Sequence, residues 1–228
     1  MNRNPIFCAI DTNELDRALS LITEISPNIG GIKIGLEFIT SLGISGVEEI
    51  KKSNIPLFID LKLYDIPNTV SAALKNILKF EPEYTTVHIS GGRRMLEACV
   101  EEKLRAKSNT KLVGVTMLTS FNNEEIGEIG INKSVNENVS LLASLASSCN
   151  LDGIVCSPHE ISEIRNNYDL EIITPGIRMD KFRTDDQKRT LSAKEALIAG
   201  ADILVIGRPI TQADSPSEAA RSIYESIQ

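Results

Sequence analysis

The stretch Ile55-Pro56-Leu57-Phe58-Ile59-Asp60-Leu61-Lys62-Leu63-Tyr64-Asp65-Ile66-Pro67-Asn68-Thr69 decides how this chain is read. Its apolar start predicts a buried strand over 57–62. Successive strand side chains point to opposite faces, so Asp60 and Lys62 share one face and Leu61 takes the other. Asp65 falls beyond the strand, where Pro67 suits the first turn of a helix and Asp65 or Asn68 offers a cap. Charges at the end of an apolar strand are costly unless they are compensated or used.

Outward from this stretch the same rhythm repeats. Further apolar, β-rich runs predict strands over 6–11, 31–35, 85–89, 112–118, 153–156, 171–175 and 202–207. Helical spacing fills the intervals: Leu15, Ala18, Leu19 and Ile22; Val70, Ala73, Leu74 and Ile77; Met95, Cys99 and Leu104; Val139, Leu142, Ala143 and Ala146. Pro216 opens a terminal helix. Near-continuous apolar strands alternating with helices imply a parallel sheet covered by helices. Eight such units within 228 residues predict an α/β fold, a single (β/α)₈ TIM barrel in one domain spanning 1–228. No linker or low-complexity stretch divides the chain, and no Gly-x-Gly-x-x-Gly opens the first strand–helix turn.

Composition excludes several classes. A net charge of −7 argues against a general nucleic-acid binder, though a local basic cluster still accommodates a small anion. No apolar run approaches a membrane span. The start runs directly into a strand without room for a signal peptide, so a cytoplasmic location is expected. Cys8, Cys99, Cys149 and Cys156 are scattered and read as buried thiols. With only His88 and His159 present, a three-histidine zinc site is impossible, and no metal site is expected.

In a barrel, function gathers at the C-terminal strand ends. Asp11 ends the first strand, Lys33 lies in the second, and Asp60 and Lys62 end the third, giving alternating signs on three neighbouring strands. Each lysine keeps its neighbouring aspartates ionised, and they keep it protonated. A structural ion-pair network at the rim is the plainer reading of any one of these residues; four together, followed by Asp65, favour a site. The turns after strands seven and eight carry Thr174-Pro175-Gly176-Ile177-Arg178 and Gly207-Arg208-Pro209, where barrels commonly bind phosphate. Gly207 admits close backbone approach and Arg208 supplies a forked donor. The run from Arg178 to Arg189 is long for a βα loop and reads as a lid. Thr119 and Ser120 either meet a substrate's polar edge or cap the next helix. His88 reads as a buried histidine satisfied by its neighbours, and Met117 as core.

Taken together, these residues resemble the orotidine 5′-phosphate decarboxylase family over nearly the whole chain, from Asp11 to Arg208. The motif Asp60-x-Lys62-x-x-Asp65-Ile66-Pro67-Asn68-Thr69 carries most of the likeness. It is joined by Lys33 before Gly35, Leu118-Thr119-Ser120, Pro175-Gly176-Ile177-Arg178, Gln187 before Arg189, and Gly207-Arg208. Leu63-Tyr64 replaces a commoner Phe-His, and Ile89 stands where a small residue is usual. The resemblance implies conversion of orotidine 5′-monophosphate to uridine 5′-monophosphate, in pyrimidine biosynthesis, with no metal or organic cofactor. Lys62 would be the proton donor, with Asp60, Asp65 and Lys33 completing the catalytic charge network. Asp11 and Lys33 would contact the ribose, Thr119 and Ser120 the pyrimidine, Gln187 both pyrimidine and phosphate, and Gly207 and Arg208 the phosphate, with Arg178 in the same region. It further implies a homodimer in which Asp65, Ile66 and Thr69 belong to a shared site, with Asp65 and Thr69 reaching into the partner's. A Mg²⁺-dependent sugar-phosphate barrel shares the Asp-x-Lys-x-x-Asp core, but the Ile66-Pro67-Asn68-Thr69 extension and Gln187 argue against it. A non-catalytic nucleotide binder has little reason to keep all five charges.

Overall fold

The computed structural model describes residues 4–177 and 191–228. Eight parallel strands close into a barrel in sequence order. They are β1 (Ile6–Ala9), β2 (Gly31–Ile34), β3 (Leu57–Leu63), β4 (Tyr84–His88), β5 (Lys111–Val115), β6 (Gly153–Val155), β7 (Glu171–Pro175) and β8 (Ile203–Ile206). Closure is made by β1 pairing with β8, with Phe7 opposite Val205. The predicted barrel is therefore the observed one, although several strands end earlier than their apolar runs. The fifth stops at Val115, not near Leu118, and leaves Thr116 and Met117 in the turn beyond it.

Strand alternation divides the core into two regions. Outward-facing residues such as Ile6, Cys8, Ile32, Ile34 and Ile172 meet the helices in a large outer core. Inward-facing Phe7, Phe58, Tyr84, Val113, Ile173, Ile203 and Val205 fill the barrel itself. Phe7 packs edge-on against both other rings, its centroid 5.4 Å from that of Tyr84 and 6.4 Å from that of Phe58. Tyr84 donates its hydroxyl hydrogen to Glu171 at 2.6 Å, and Lys111 bonds the other oxygen of that carboxylate at 2.5 Å. The polar tip of the ring cluster is thereby satisfied.

The helices bury the faces that their spacing predicts. Leu15–Ile25 buries Ala18, Ile22 and Ile25, Pro67–Ile77 buries Val70, Leu74 and Ile77, and Val135–Ser148 buries Val139, Ala143 and Ala146. In Arg93–Arg105 the buried stripe runs through Met95, Leu96, Cys99 and Glu102, and Leu104 points to solvent. Pro67 sits in the first turn as expected, but neither Asp65 nor Asn68 caps that helix; Ile66 is the N-cap. No helix among the described residues is long and apolar enough to cross a membrane.

One glycine is required by the barrel interior. A Cβ on Gly31 would lie 2.3 Å from the Phe7 ring. That ring is wedged between Phe58 and Tyr84 and has nowhere to retreat. Gly31→Ala is expected to destabilise the chain by about 1–3 kcal/mol through overpacking. The urea midpoint should fall with an unchanged slope; an unaltered midpoint would show that the ring cluster has slack.

Candidate active site

The C-terminal strand ends open into a cavity of about 450 Å³. Asp11, Lys33, Asp60, Lys62 and Thr119 line it from one side, and Gly207, Arg208 and Pro209 from the β8 side. Val155, Ile173, Pro175 and Ile177 supply apolar wall between them. A compartment with a charged end, an apolar wall and a glycine–arginine turn suits an anionic, partly aromatic ligand.

Asp60 is the hub of the charged end. It is 8 % exposed, and Lys33, its neighbour on β2, is 9 % exposed. One carboxylate oxygen lies 2.8 Å from the Lys62 ammonium and 3.5 Å from that of Lys33. Lys33 also lies 3.7 Å from Asp11, whose side chain is half exposed. Burial pushes the Asp60 carboxyl up, but the two ammonium groups and the hydrogen bonds from Lys62 and Thr86 outweigh it. The group is held below the ordinary carboxylate range. Gly35 leaves room for this arrangement, since a Cβ there would stand 3.1 Å from the Lys33 ammonium.

Asp60 and Lys62 do meet on one side, but plain alternation does not bring them there. Ile59 pairs with Thr85 and Leu63 with Val87, so Asp60, Leu61 and Lys62 stand opposite Thr86 alone. The strand bulges, and Lys62 takes a left-handed backbone with φ of 50°. Such a conformation is uncommon for a long side chain and costs on the order of 1–3 kcal/mol. Thr86 fills the gap in the ladder: its hydroxyl accepts from the Lys62 N–H at 2.8 Å and donates to Asp60 at 2.9 Å. The sequence offered Thr86 only as one residue of a strand. The signal that marks it is its inward register at a bulge, which is invisible without the pairing.

The remaining candidates divide clearly. Thr119 lines the cavity, whereas Ser120 is exposed and lies outside its wall. Neither caps the following helix, a role taken by Asn122 in a capping box with Glu125. Gly207 precedes the short helix Arg208–Thr211 and accepts from the Ile210 N–H at 2.8 Å. Asp65, Ile66 and Thr69 are exposed and take no part in the cavity wall of their own chain; Asp65 accepts from the Ile66 N–H at 2.6 Å. Arg178 and Gln187 lie outside the described residues, as does the rest of the lid expected over 178–189.

His88 differs from expectation. Its buried Nδ1 has no hydrogen-bond partner among the described residues, and its ring stacks on Tyr64 with centroids 5.4 Å apart. Burial, and then the nearby Lys62 charge, lower its pKa below the ordinary histidine value. The unfolded chain therefore binds a proton more readily than the folded one. Its contribution to stability is present above about pH 6.5 and is lost as the pH falls from there through the lower folded value. The His88 ring resonances should titrate below about pH 6.5 in the folded protein. A midpoint at or above that value in proton NMR would contradict the assignment.

Comparison with known proteins identifies the family. A family model described as the orotidine 5′-phosphate decarboxylase / HUMPS family matches residues 4–223. A protein named orotidine 5′-phosphate decarboxylase from Wolbachia sp. subsp. Brugia malayi is 48% identical over 226 residues, covering 98% of this chain and 99% of its own. One of the same name from Ehrlichia chaffeensis is 46% identical over 230 residues, covering 100% of this chain and 98% of its own. Among solved structures, orotidine 5′-phosphate decarboxylase from Lactobacillus acidophilus superposes with a TM-score of 0.87 at 29% identity, covering 99% of both chains. With its closed barrel, its Asp60–Lys62 centre and matches of this extent, the chain belongs to the orotidine 5′-phosphate decarboxylase / HUMPS family.

Proposed function

We propose that this chain decarboxylates orotidine 5′-monophosphate to uridine 5′-monophosphate and CO₂, a step of pyrimidine biosynthesis, without a metal or organic cofactor. The observation that carries this reading is the buried Asp60 held between Lys33 and Lys62, in a cavity that Arg208 also lines. Names of relatives matched end to end support the substrate.

In this reaction the bond between C6 of the pyrimidine and its carboxylate breaks, CO₂ leaves, and the electron pair stays on C6. No adjacent carbonyl takes up that charge well, so the protein must stabilise what exists only late in the reaction. Lys62 is suited to the task. Its ammonium is fixed by Asp60 at 2.8 Å, and it gives its proton to C6 as the carbanion forms. Asp60 stands near the departing carboxylate and keeps Lys62 oriented. Lys33 balances Asp60 and, with Asp11, contacts the ribose. Thr119 meets the pyrimidine edge, and Gly207 with Arg208 takes the phosphate.

The reading includes a homodimer and a cytoplasmic setting. Asp65, Ile66 and Thr69 face solvent just past β3, with Ile66 66 % exposed, and a second copy would cover them and receive Asp65 and Thr69 into its own cavity. The free, buried thiols Cys8, Cys99, Cys149 and Cys156 suit a reducing compartment.

The decisive experiment is a spectrophotometric assay with orotidine 5′-monophosphate in the presence of a chelator. Turnover supports the reading; none at any enzyme concentration would sink it. Lys62→Ala should lower kcat by at least about 10⁴-fold while calorimetry still detects uridine 5′-monophosphate binding. Near-normal turnover in that variant would remove Lys62 as donor. Arg208→Ala should cut kcat/KM for the nucleotide by roughly 10–100-fold, the loss of charge-assisted bonds to phosphate. The same change should affect orotidine, which lacks phosphate, far less; equal losses would count against the phosphate role.

A further inference from the structure

We propose that Thr86 is a positioning residue of the decarboxylation centre, its hydroxyl clamping the β3 bulge so that Asp60 and Lys62 hold their working geometry. This deepens the decarboxylase reading and rests on it. Thr86 is fully buried on β4 and lies outside the cavity wall, so it acts through its neighbours and does not touch substrate.

A hydroxyl has one hydrogen to donate and lone pairs to accept with. Thr86 uses both: it accepts from the backbone of Lys62 and donates to the carboxylate of Asp60. Three residues of β3 stand opposite this single residue of β4, so the regular ladder is interrupted where Lys62 adopts φ of 50°. The hydroxyl supplies a bond there and ties the left-handed backbone to the carboxylate that orients the same residue's ammonium. The Lys62 backbone bonds the Thr86 oxygen directly, and its ammonium is linked to that oxygen through the Asp60 carboxylate.

Removing the hydroxyl alters both ends together. Among the described residues, the charged groups facing Asp60 are Lys33 from β2 and Lys62 from β3 itself. Asp11 lies beyond β1 against Lys33, and His88 lies on β4 within the field of Lys62. With these unchanged, loss of a donated hydrogen bond makes Asp60 easier to protonate, so activity that needs its charge fails at a higher pH.

The test uses the full chain with Thr86→Val, which keeps the shape and removes the hydroxyl, and Thr86→Ser, which restores it. The Val variant should lose roughly 10–100-fold in kcat, as a displaced catalytic group does. Its affinity for uridine 5′-monophosphate should stay within about threefold, because Thr86 is not part of the cavity wall. The acid limb of its kcat profile should move to higher pH, and the Ser variant should recover most of the loss. A Val variant within about twofold of wild type with its acid limb in place would overturn the proposal. So would a Ser variant that fails as badly as Val, or Val and Ala variants that both fail to fold, since the hydroxyl would then serve stability alone. A wild-type chain without turnover would sink the decarboxylase reading instead. Carbon-13 titration of the Asp60 carboxyl in wild type and Thr86→Val would still read the clamp, which predicts a higher midpoint in the variant.

Discussion

A carboxylate buried at the end of a barrel strand has to be neutralised where it stands, and that requirement at Asp60 organises the upper half of this molecule. Water reaches little of it, and an isolated ion there would protonate. Lys33 and Lys62 prevent this, and Asp11 in turn balances Lys33, so two positive and two negative groups close a neutral set. Removing Lys33, the buried cation of the set, would leave Asp60 under-compensated and is the costliest way to break it, whereas half-exposed Asp11 is screened by water. The local peculiarities follow from this: the absent side chain at Gly35, the bulge in β3, and the threonine opposite it. Below them the barrel is ordinary, filled by Phe7, Phe58 and Tyr84 and closed by a satisfied Tyr84–Glu171–Lys111 cluster.

Much of this was legible in the sequence, for reasons that differ by level. Eight apolar runs separated by helical spacing identify a parallel barrel, because burial on both faces erases strand alternation and leaves a signal of its own. The charged set was legible because ions are rare at such positions, so Asp11, Lys33, Asp60 and Lys62 stand out against their neighbours. What depended on register was not legible. Thr86 looks like any strand threonine until its pairing shows three residues facing one. The ends of β5 and the exposure of Leu104 were missed because apolar character continues past the last ladder bond, and one helical position carries no direction by itself. General grounds make His88 a satisfied histidine, whereas its Nδ1 has no hydrogen-bond partner among the described residues and its ring lies against Tyr64.

The two halves of the barrel meet opposed demands. The lower interior is a stability device, where rings and a glycine fit so tightly that one methyl group is felt. The rim carries a left-handed lysine and a buried carboxylate, both unfavourable in isolation and tolerable because the frame beneath them cannot relax. Strain held this way is useful under the proposed reaction, since a centre that is already rigid spends no binding energy on ordering itself.

A phosphate several bonds away should matter to the chemistry at C6 under the proposed reaction. Under the proposed reaction, a carboxylate substrate entering beside Asp60 would meet a like charge that nothing in the pyrimidine itself offsets. Arg208 and Gly207 line the same cavity from β8, where a phosphate can be gripped without touching the reacting carbon. Binding energy gathered there is available to hold the substrate against the charged set, and it is most effective if Lys62 answers only the charge that appears as CO₂ departs. A site built to bind the whole nucleotide equally tightly before and after would need neither the crowding at Asp60 nor the fixed ammonium beside it. Their coexistence in one cavity is the physical argument for a decarboxylase over a passive nucleotide receptor.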